Sequence, residues 1–233
     1  MEESSRTPEA VVLPLRAAIE HTLLSPGATR AMIERHCAEA RSHALFGVCV
    51  NPVHVARASK LLASTEVTLV TVVGFPLGAS AHAVKAFECE QAVRDGAQEI
   101  DMVIDLGALK AADRHGVKDD IAGVVKAAGG KPVKVILETA LLNEGEKRLA
   151  CAIAEEAGAA FVKTSTGFGG GGATREDVAL MRALVGDRLG VKASGGIRDA
   201  ALARELLAAG ANRIGTSQGV ALVLADDAAK AAR

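Results

Sequence analysis

Lys163 ends the apolar run Phe161-Val162-Lys163 just ahead of Thr164-Ser165-Thr166-Gly167. Lys192 repeats the arrangement in Gly190-Val191-Lys192-Ala193, ahead of Ser194-Gly195-Gly196. A short strand covered on both faces has no ordinary use for an ammonium group, because lysine is almost never buried without a partner. Two ammonium groups at the ends of two strands repel each other and favour loss of a proton. A neutral lysine amine is the nucleophile that forms imines with carbonyl compounds. Bringing a lysine from its usual pKa of about 10.4 to near 7 means destabilising its charged form by about 4 to 5 kcal/mol. Desolvation and a second cation are the available sources.

A carboxylate stands ready to work with these amines. Glu99-Ile100-Asp101-Met102-Val103-Ile104-Asp105 is an otherwise apolar strand in which Asp101 and Asp105 share one face by their even spacing. Asp105 is expected mainly to open the following loop. Asp101, embedded in the strand, would pair with an ammonium and carry protons. Small residues follow three of the strand-like runs: Gly167 to Gly172, Ser194-Gly195-Gly196, and Gly215-Thr216-Ser217. Their backbone N–H groups can approach an anion closely, although glycines after strands also serve as plain turn formers. Weaker candidates are Thr22 and His21 near the site, Cys49 at a strand end, Glu138 as an ion-pair partner that orients a lysine, and Arg198 as a phosphate ligand or an exposed helix-start residue.

These residues need a scaffold that brings strand ends together. Eight strand-like runs can be picked out, at 18–23, 47–50, 67–73, 99–104, 133–137, 161–164, 190–193 and 213–215. Helical stretches lie between most of them, at 29–40, 52–62, 81–94, 118–128, 144–157, 175–184 and 199–209. Glu20 and His21 interrupt the apolar pattern of the first run, which makes it the weakest. Thr174 to Asp177 resembles a capping box, and Gly96, Gly158 and Gly210 fall where helices should stop. Eight strands with helical crossovers predict an α/β fold, a TIM (β/α)8 barrel, as a single domain over 1–233 with a short N-terminal extension. In such a barrel the chemistry sits at the C-terminal strand ends, and the loops after strands seven and eight often hold phosphate.

Composition sets limits on the alternatives. The 233 residues are 49% hydrophobic and 24% charged with a net charge of −1, so no broad nucleic-acid or anionic-membrane surface is expected. Cys37, Cys49, Cys89 and Cys151 lack zinc-ligand spacing and read as reduced thiols. The start, Met1 to Ser5, lacks the pattern of a signal peptide, and the apolar stretch from Val67 to Val84 is broken by Gly74, Pro76, Gly78 and His82. A cytoplasmic protein is the expectation. The glycine run after Thr166 also satisfies GxGxxG, with Asp187 at a plausible distance for a ribose contact. It follows the sixth strand, however, where a dinucleotide fingerprint normally follows the first.

Taken together, Glu20 to Leu24, Val48 to Pro52, Val73 to Gly78, Glu99 to Asp105, Lys134 to Thr139, Phe161 to Phe168, Val191 to Arg198 and Arg213 to Val220 resemble the deoxyribose-phosphate aldolases, and the runs FVKTSTGF and VKASGG are the specific part of that resemblance. The resemblance covers most of the chain. It implies a class I aldolase that interconverts 2-deoxy-D-ribose 5-phosphate with acetaldehyde and D-glyceraldehyde 3-phosphate, without metal or other cofactor. Lys163 would be the Schiff-base lysine, Asp101 the proton-shuttling carboxylate and Lys192 the tuning cation. Thr22, Cys49, Thr166, Gly167, Gly195, Gly196, Gly215 and Ser217 would surround the substrate and its phosphate. The implied partners are a phosphorylated sugar and small aldehydes, with no nucleic acid and no membrane; a homo-oligomer, dimer or tetramer, is compatible with it.

Three features depart from that family's pattern. Glu20 stands where Asp is usual, Gln218 where a second serine is common, and the chain has no tyrosine, which some members bring to the site from the C-terminal tail. Two rival classes, a barrel enzyme acting on other phosphorylated sugars and a non-catalytic phosphosugar binder, would need the glycine loops but not two strand-end lysines beside an aspartate.

Overall fold

The computed structural model describes residues 14–232. The expected N-terminal extension and the reading of Met1 to Ser5 lie outside these residues. Eight parallel strands close into a barrel in sequence order: β1 (Ile19–Leu23), β2 (Gly47–Val50), β3 (Thr68–Val73), β4 (Glu99–Val103), β5 (Val133–Ile136), β6 (Phe161–Lys163), β7 (Gly190–Ser194) and β8 (Arg213–Thr216). Nine α-helices are described: α1 (Arg30–Ser42), α2 (Val55–Leu62), α3 (His82–Arg94), α4 (Leu106–Lys110), α5 (Arg114–Ala127), α6 (Glu144–Glu156), α7 (Arg175–Val185), α8 (Ala200–Ala208) and α9 (Gly219–Ala231). The strands match expectation to within a residue or so at each end. The helices α4 and α9 were not anticipated. The first is a single turn started by the Asp105 cap, which accepts from the Ala108 amide at 3.0 Å. Asp105 therefore opens the loop and does not point into the barrel.

Strand alternation sorts side chains between two compartments. Ile100 and Met102, Val133 and Val135, Val162, and Val191 and Ala193 belong to the large core between sheet and helices. The residues between them turn into the barrel, where Asp101, Lys134, Lys163 and Lys192 meet. The irregular first strand follows the same rule. Glu20 faces the charged interior. His21 faces α1, where its ring stacks on His36 at 3.9 Å and its Nε2 lies 3.0 Å from Glu39.

Helix ends obey local chemistry. Gly96, Gly158 and Gly210 stop α3, α6 and α8 with positive φ. Thr174 caps α7 by accepting from the Asp177 amide at 3.0 Å, but the Asp177 carboxylate pairs with Lys147 instead of completing a box. The complete capping box is at Asn143 and Glu146, starting α6.

Candidate active site

Six ionisable side chains meet inside the barrel. Asp101 is the hub: its Oδ1 lies 2.9 Å from Lys134 Nζ, and its Oδ2 lies 2.7 Å from Lys163 Nζ and 2.6 Å from Lys192 Nζ. Lys134 also contacts Glu99 at 2.6 Å and Glu20 at 3.5 Å, while Lys192 donates a hydrogen bond to Glu20. Strand register produces this convergence, since Asp101 pairs with Lys134 and Lys163 with Lys192 across neighbouring strands. All six are buried. Charges taken out of water persist only when such partners and hydrogen bonds compensate the loss.

The electrostatic consequences differ among the lysines. Burial pushes Lys163 below its usual pKa, the Asp101 carboxylate opposes this, and Lys192 adds to it. Burial also acts against Lys192 and Lys134, but their carboxylates outweigh it and raise both. For Asp101, burial alone would raise the pKa; Lys134, Lys163 and Lys192 prevail and hold it well below the usual carboxylate range. Lys192 thus remains an ammonium with two acidic partners. Among the described residues Lys163 has only Asp101 as an acidic partner, on an oxygen that Lys192 also occupies. That is the local arrangement expected of an amine poised to lose its proton.

A cavity of about 450 Å³ opens at the C-terminal ends of the strands, lined by residues from β1, β6, β7, β8 and their loops. Of the three central lysines only Lys163 reaches its wall. Thr22, Thr166, Gly167, Gly195, Gly196, Gly215, Ser217 and Arg198 line it too, as the sequence suggested, and Ser25 and Phe168 were not singled out there. Gly215 carries a second constraint: a Cβ would stand 3.1 Å from Lys192 Cε and 3.0 Å from the Ser194 Cβ, so the glycine also makes room for the lysine. Gly195 adopts φ +89° against the Gly172 backbone, where a side chain would be strained and crowded.

Two expectations, for Cys49 and Glu138, need correction. Cys49 is wholly buried in an apolar cluster with Leu24, Val70 and Val72, covered by Phe75, and does not line the cavity. Burial raises its thiol to about 11, so it is inert as a thiolate near neutrality. Glu138 orients no lysine; its carboxylate accepts from the Thr166 hydroxyl and, at 3.3 Å, from the Thr166 amide. Asp101 is shared among Lys134, Lys163 and Lys192. Asp187 lies in the turn between α7 and β7, at the N-terminal end of the strands, away from the glycine run. The members missed in sequence, Lys134 and Glu99, stand at even spacing in their strands with the signal that flagged Lys163 and Asp101. Their role depends on which strand lies beside them, which local sequence does not show.

A parallel barrel that presents one under-compensated lysine at its mouth, beside glycine-lined loops, defines an enzyme of the imine-forming lyase type. The chain belongs to the DeoC/LacD family of aldolases, whose model matches residues 18–226. It is 57% identical over 205 residues to a deoxyribose-phosphate aldolase of Brevibacillus brevis, covering 88% of this chain and 93% of that one. A deoxyribose-phosphate aldolase of Bdellovibrio bacteriovorus is 55% identical over 211 residues, covering 91% and 96%. Among solved structures, the deoxyribose phosphate aldolase of Aeropyrum pernix, described as a unique tetramer, superposes with a TM-score of 0.86 at 35% identity and 92% coverage of both chains.

Proposed function

We propose that this chain cleaves 2-deoxy-D-ribose 5-phosphate reversibly to acetaldehyde and D-glyceraldehyde 3-phosphate through an imine on Lys163. The observation that carries the assignment is that Lys163 alone of the three central lysines lines the cavity, with its amine 2.7 Å from an ionised Asp101. The neutral amine attacks the aldehyde carbon of the open-chain sugar, and the carbinolamine loses water to give a protonated imine. That cation draws in the electron pair of the breaking carbon–carbon bond. Glyceraldehyde 3-phosphate leaves as the substrate's 3-hydroxyl gives up its proton, and the remaining enamine is protonated and hydrolysed to acetaldehyde, returning the lysine. Asp101, acting directly or through water, is the proton carrier within reach of the amine.

Gly167, Gly195, Gly196, Gly215 and Ser217 surround the phosphate end, where backbone N–H groups and a hydroxyl can donate to it. The function rests on this chain's own side chains, and small molecules are its partners. Four buried, unpaired thiols suit a reducing compartment such as the cytoplasm. No helix among the described residues is long and apolar enough to cross a membrane.

The test is borohydride reduction in the presence of acetaldehyde, followed by peptide mapping. A two-carbon adduct on the peptide carrying Lys163 is expected. An unmodified protein, or an adduct confined to another lysine, would overturn the assignment.

A further inference from the structure

Glu138 is a buried acid with no part in the lysine cluster. It stands two residues after β5 in the left-handed region, φ +54°, where a side chain longer than that of Asn or Asp is uncommon. Its side chain is 2% exposed and pairs with no cation among the described residues. Among the described residues, its carboxylate accepts from one residue of the next loop: Thr166 donates both its amide, at 3.3 Å, and its hydroxyl. The Thr166 hydroxyl oxygen in turn accepts from the Phe168 amide at 3.0 Å. Gly169 rests on the same carboxylate, since a Cβ there would lie 2.7 Å from Glu138 Cδ. On its far side the loop is tied to the β7 turn, where the Ala173 amide donates to the Gly195 carbonyl at 3.0 Å. Between these two ties lie Gly167 and Phe168, both on the cavity wall. The Phe168 ring meets Phe75, from the loop after β3, edge to face at 5.4 Å.

We propose that Glu138 is a positioning residue for the substrate's distal end, fixing through Thr166 where the Gly167 amide and the Phe168 ring stand along the cavity. The inference rests on the phosphate reading given above. A buried carboxylate that satisfies two donors of one residue is costly to leave half-paired, so the pose of the loop is coupled to the acid. The φ strain at Glu138 fits this role: the backbone is held in a sparsely populated region while the side chain is aimed at Thr166. Lys163 lies on the strand before this loop and keeps its own partner, Asp101. Loss of the latch therefore acts on recognition of the phosphorylated end and leaves imine formation in place.

Two variants separate this from a merely structural role. Glu138→Asn keeps a residue at ease in the left-handed region but is too short to reach Thr166, whereas Glu138→Gln retains an acceptor oxygen at full length. For Glu138→Asn, KM for deoxyribose 5-phosphate should rise about tenfold while kcat/KM for unphosphorylated deoxyribose stays within about twofold. Borohydride trapping with acetaldehyde should be unchanged, and Glu138→Gln should recover most of the loss. An equal loss on both sugars, slower trapping, or no change in KM would overturn the inference. The unsubstituted protein and Ser217→Asp serve as references. If the unsubstituted protein does not prefer the phosphorylated sugar, the phosphate reading falls and this inference with it. If Ser217→Asp erodes that preference and Glu138→Asn does not, only the role of Glu138 falls.

Discussion

Lys85 and Lys163 are both buried lysines held by an aspartate at nearly the same distance, 2.6 Å to Asp120 and 2.7 Å to Asp101. Their surroundings separate them. Lys85 reaches from α3, packs its stem under Gly74, and places its ammonium between Asp120 on α5 and the Val103 carbonyl at 2.9 Å. Among the described residues the acid has no second lysine, the base has a backbone acceptor as well, and neither is on the wall of the cavity. At Lys163 the acid is divided among three lysines and the lysine itself lines the cavity. Burial of a lysine is therefore not the mark of chemistry. What marks it is burial beside a shared carboxylate at a strand end that opens to a ligand.

The sharpest way to break this comparison is Lys163→Ala. Cleavage of deoxyribose 5-phosphate should fall by at least about a thousandfold, because no other lysine on the cavity wall can form the imine. Circular dichroism should show an intact fold, and residual cleavage well above background in the purified variant would return Lys163 to the same category as Lys85.

Next in size is Lys192→Leu. Lys192 adds to the depression of the Lys163 pKa, so its removal should raise that pKa and leave less free amine at neutral pH. The rising limb of the pH–rate profile should move to higher pH, with activity near pH 7 down by about tenfold for each unit moved. An unchanged limb would show that desolvation alone sets the amine.

Ser217→Asp sharpens the other half of the site. A carboxylate set against the phosphate should raise KM for deoxyribose 5-phosphate by about tenfold, with much less effect on unphosphorylated deoxyribose. Parallel kinetics on the two sugars check it, and equal losses would place the phosphate elsewhere.

The smallest effect on rate is expected from Asp120→Ala. Removing one partner of a buried pair typically costs about 3 to 5 kcal/mol, so thermal unfolding should drop by roughly 10 °C. The folded enzyme, assayed well below that transition, should keep its kcat. A large loss of kcat at unchanged secondary structure would show that the Lys85 pair also supports the chemistry.

How much was legible beforehand follows from the same contrast. Strands were plain because their β-branched runs recur between helical stretches, and Lys163, Lys192 and Asp101 stood out because a charge in such a run needs an explanation. Lys134 carries that signal too, in Val133-Lys134-Val135, but its role depends on which strand lies beside it, a matter of register rather than of local sequence. Lys85 gave no signal, since a lysine in a helix is ordinary until α5 is seen to cover it. Glu138 stands out by its position but its partner does not, because Glu138 and Thr166 meet only when β5 and β6 lie side by side. The short α4 depends on one cap, which periodicity cannot detect. The helix α9 buries Leu222 and Val223 but starts at Gln218 without a side-chain cap, so no local start signal marks it.

Because β8 pairs with β1, with Gly215 beside Glu20, the barrel is sealed only when the two ends of the domain meet. A chain emerging from the ribosome exposes Lys163 before Lys192 and the strand that completes the enclosure exist. A lysine in hydrated, open chain keeps its ordinary pKa of about 10.4 and is an ammonium near neutral pH. The reactivity proposed for Lys163 thus belongs to the closed barrel and not to any stretch of chain that stops short of β8.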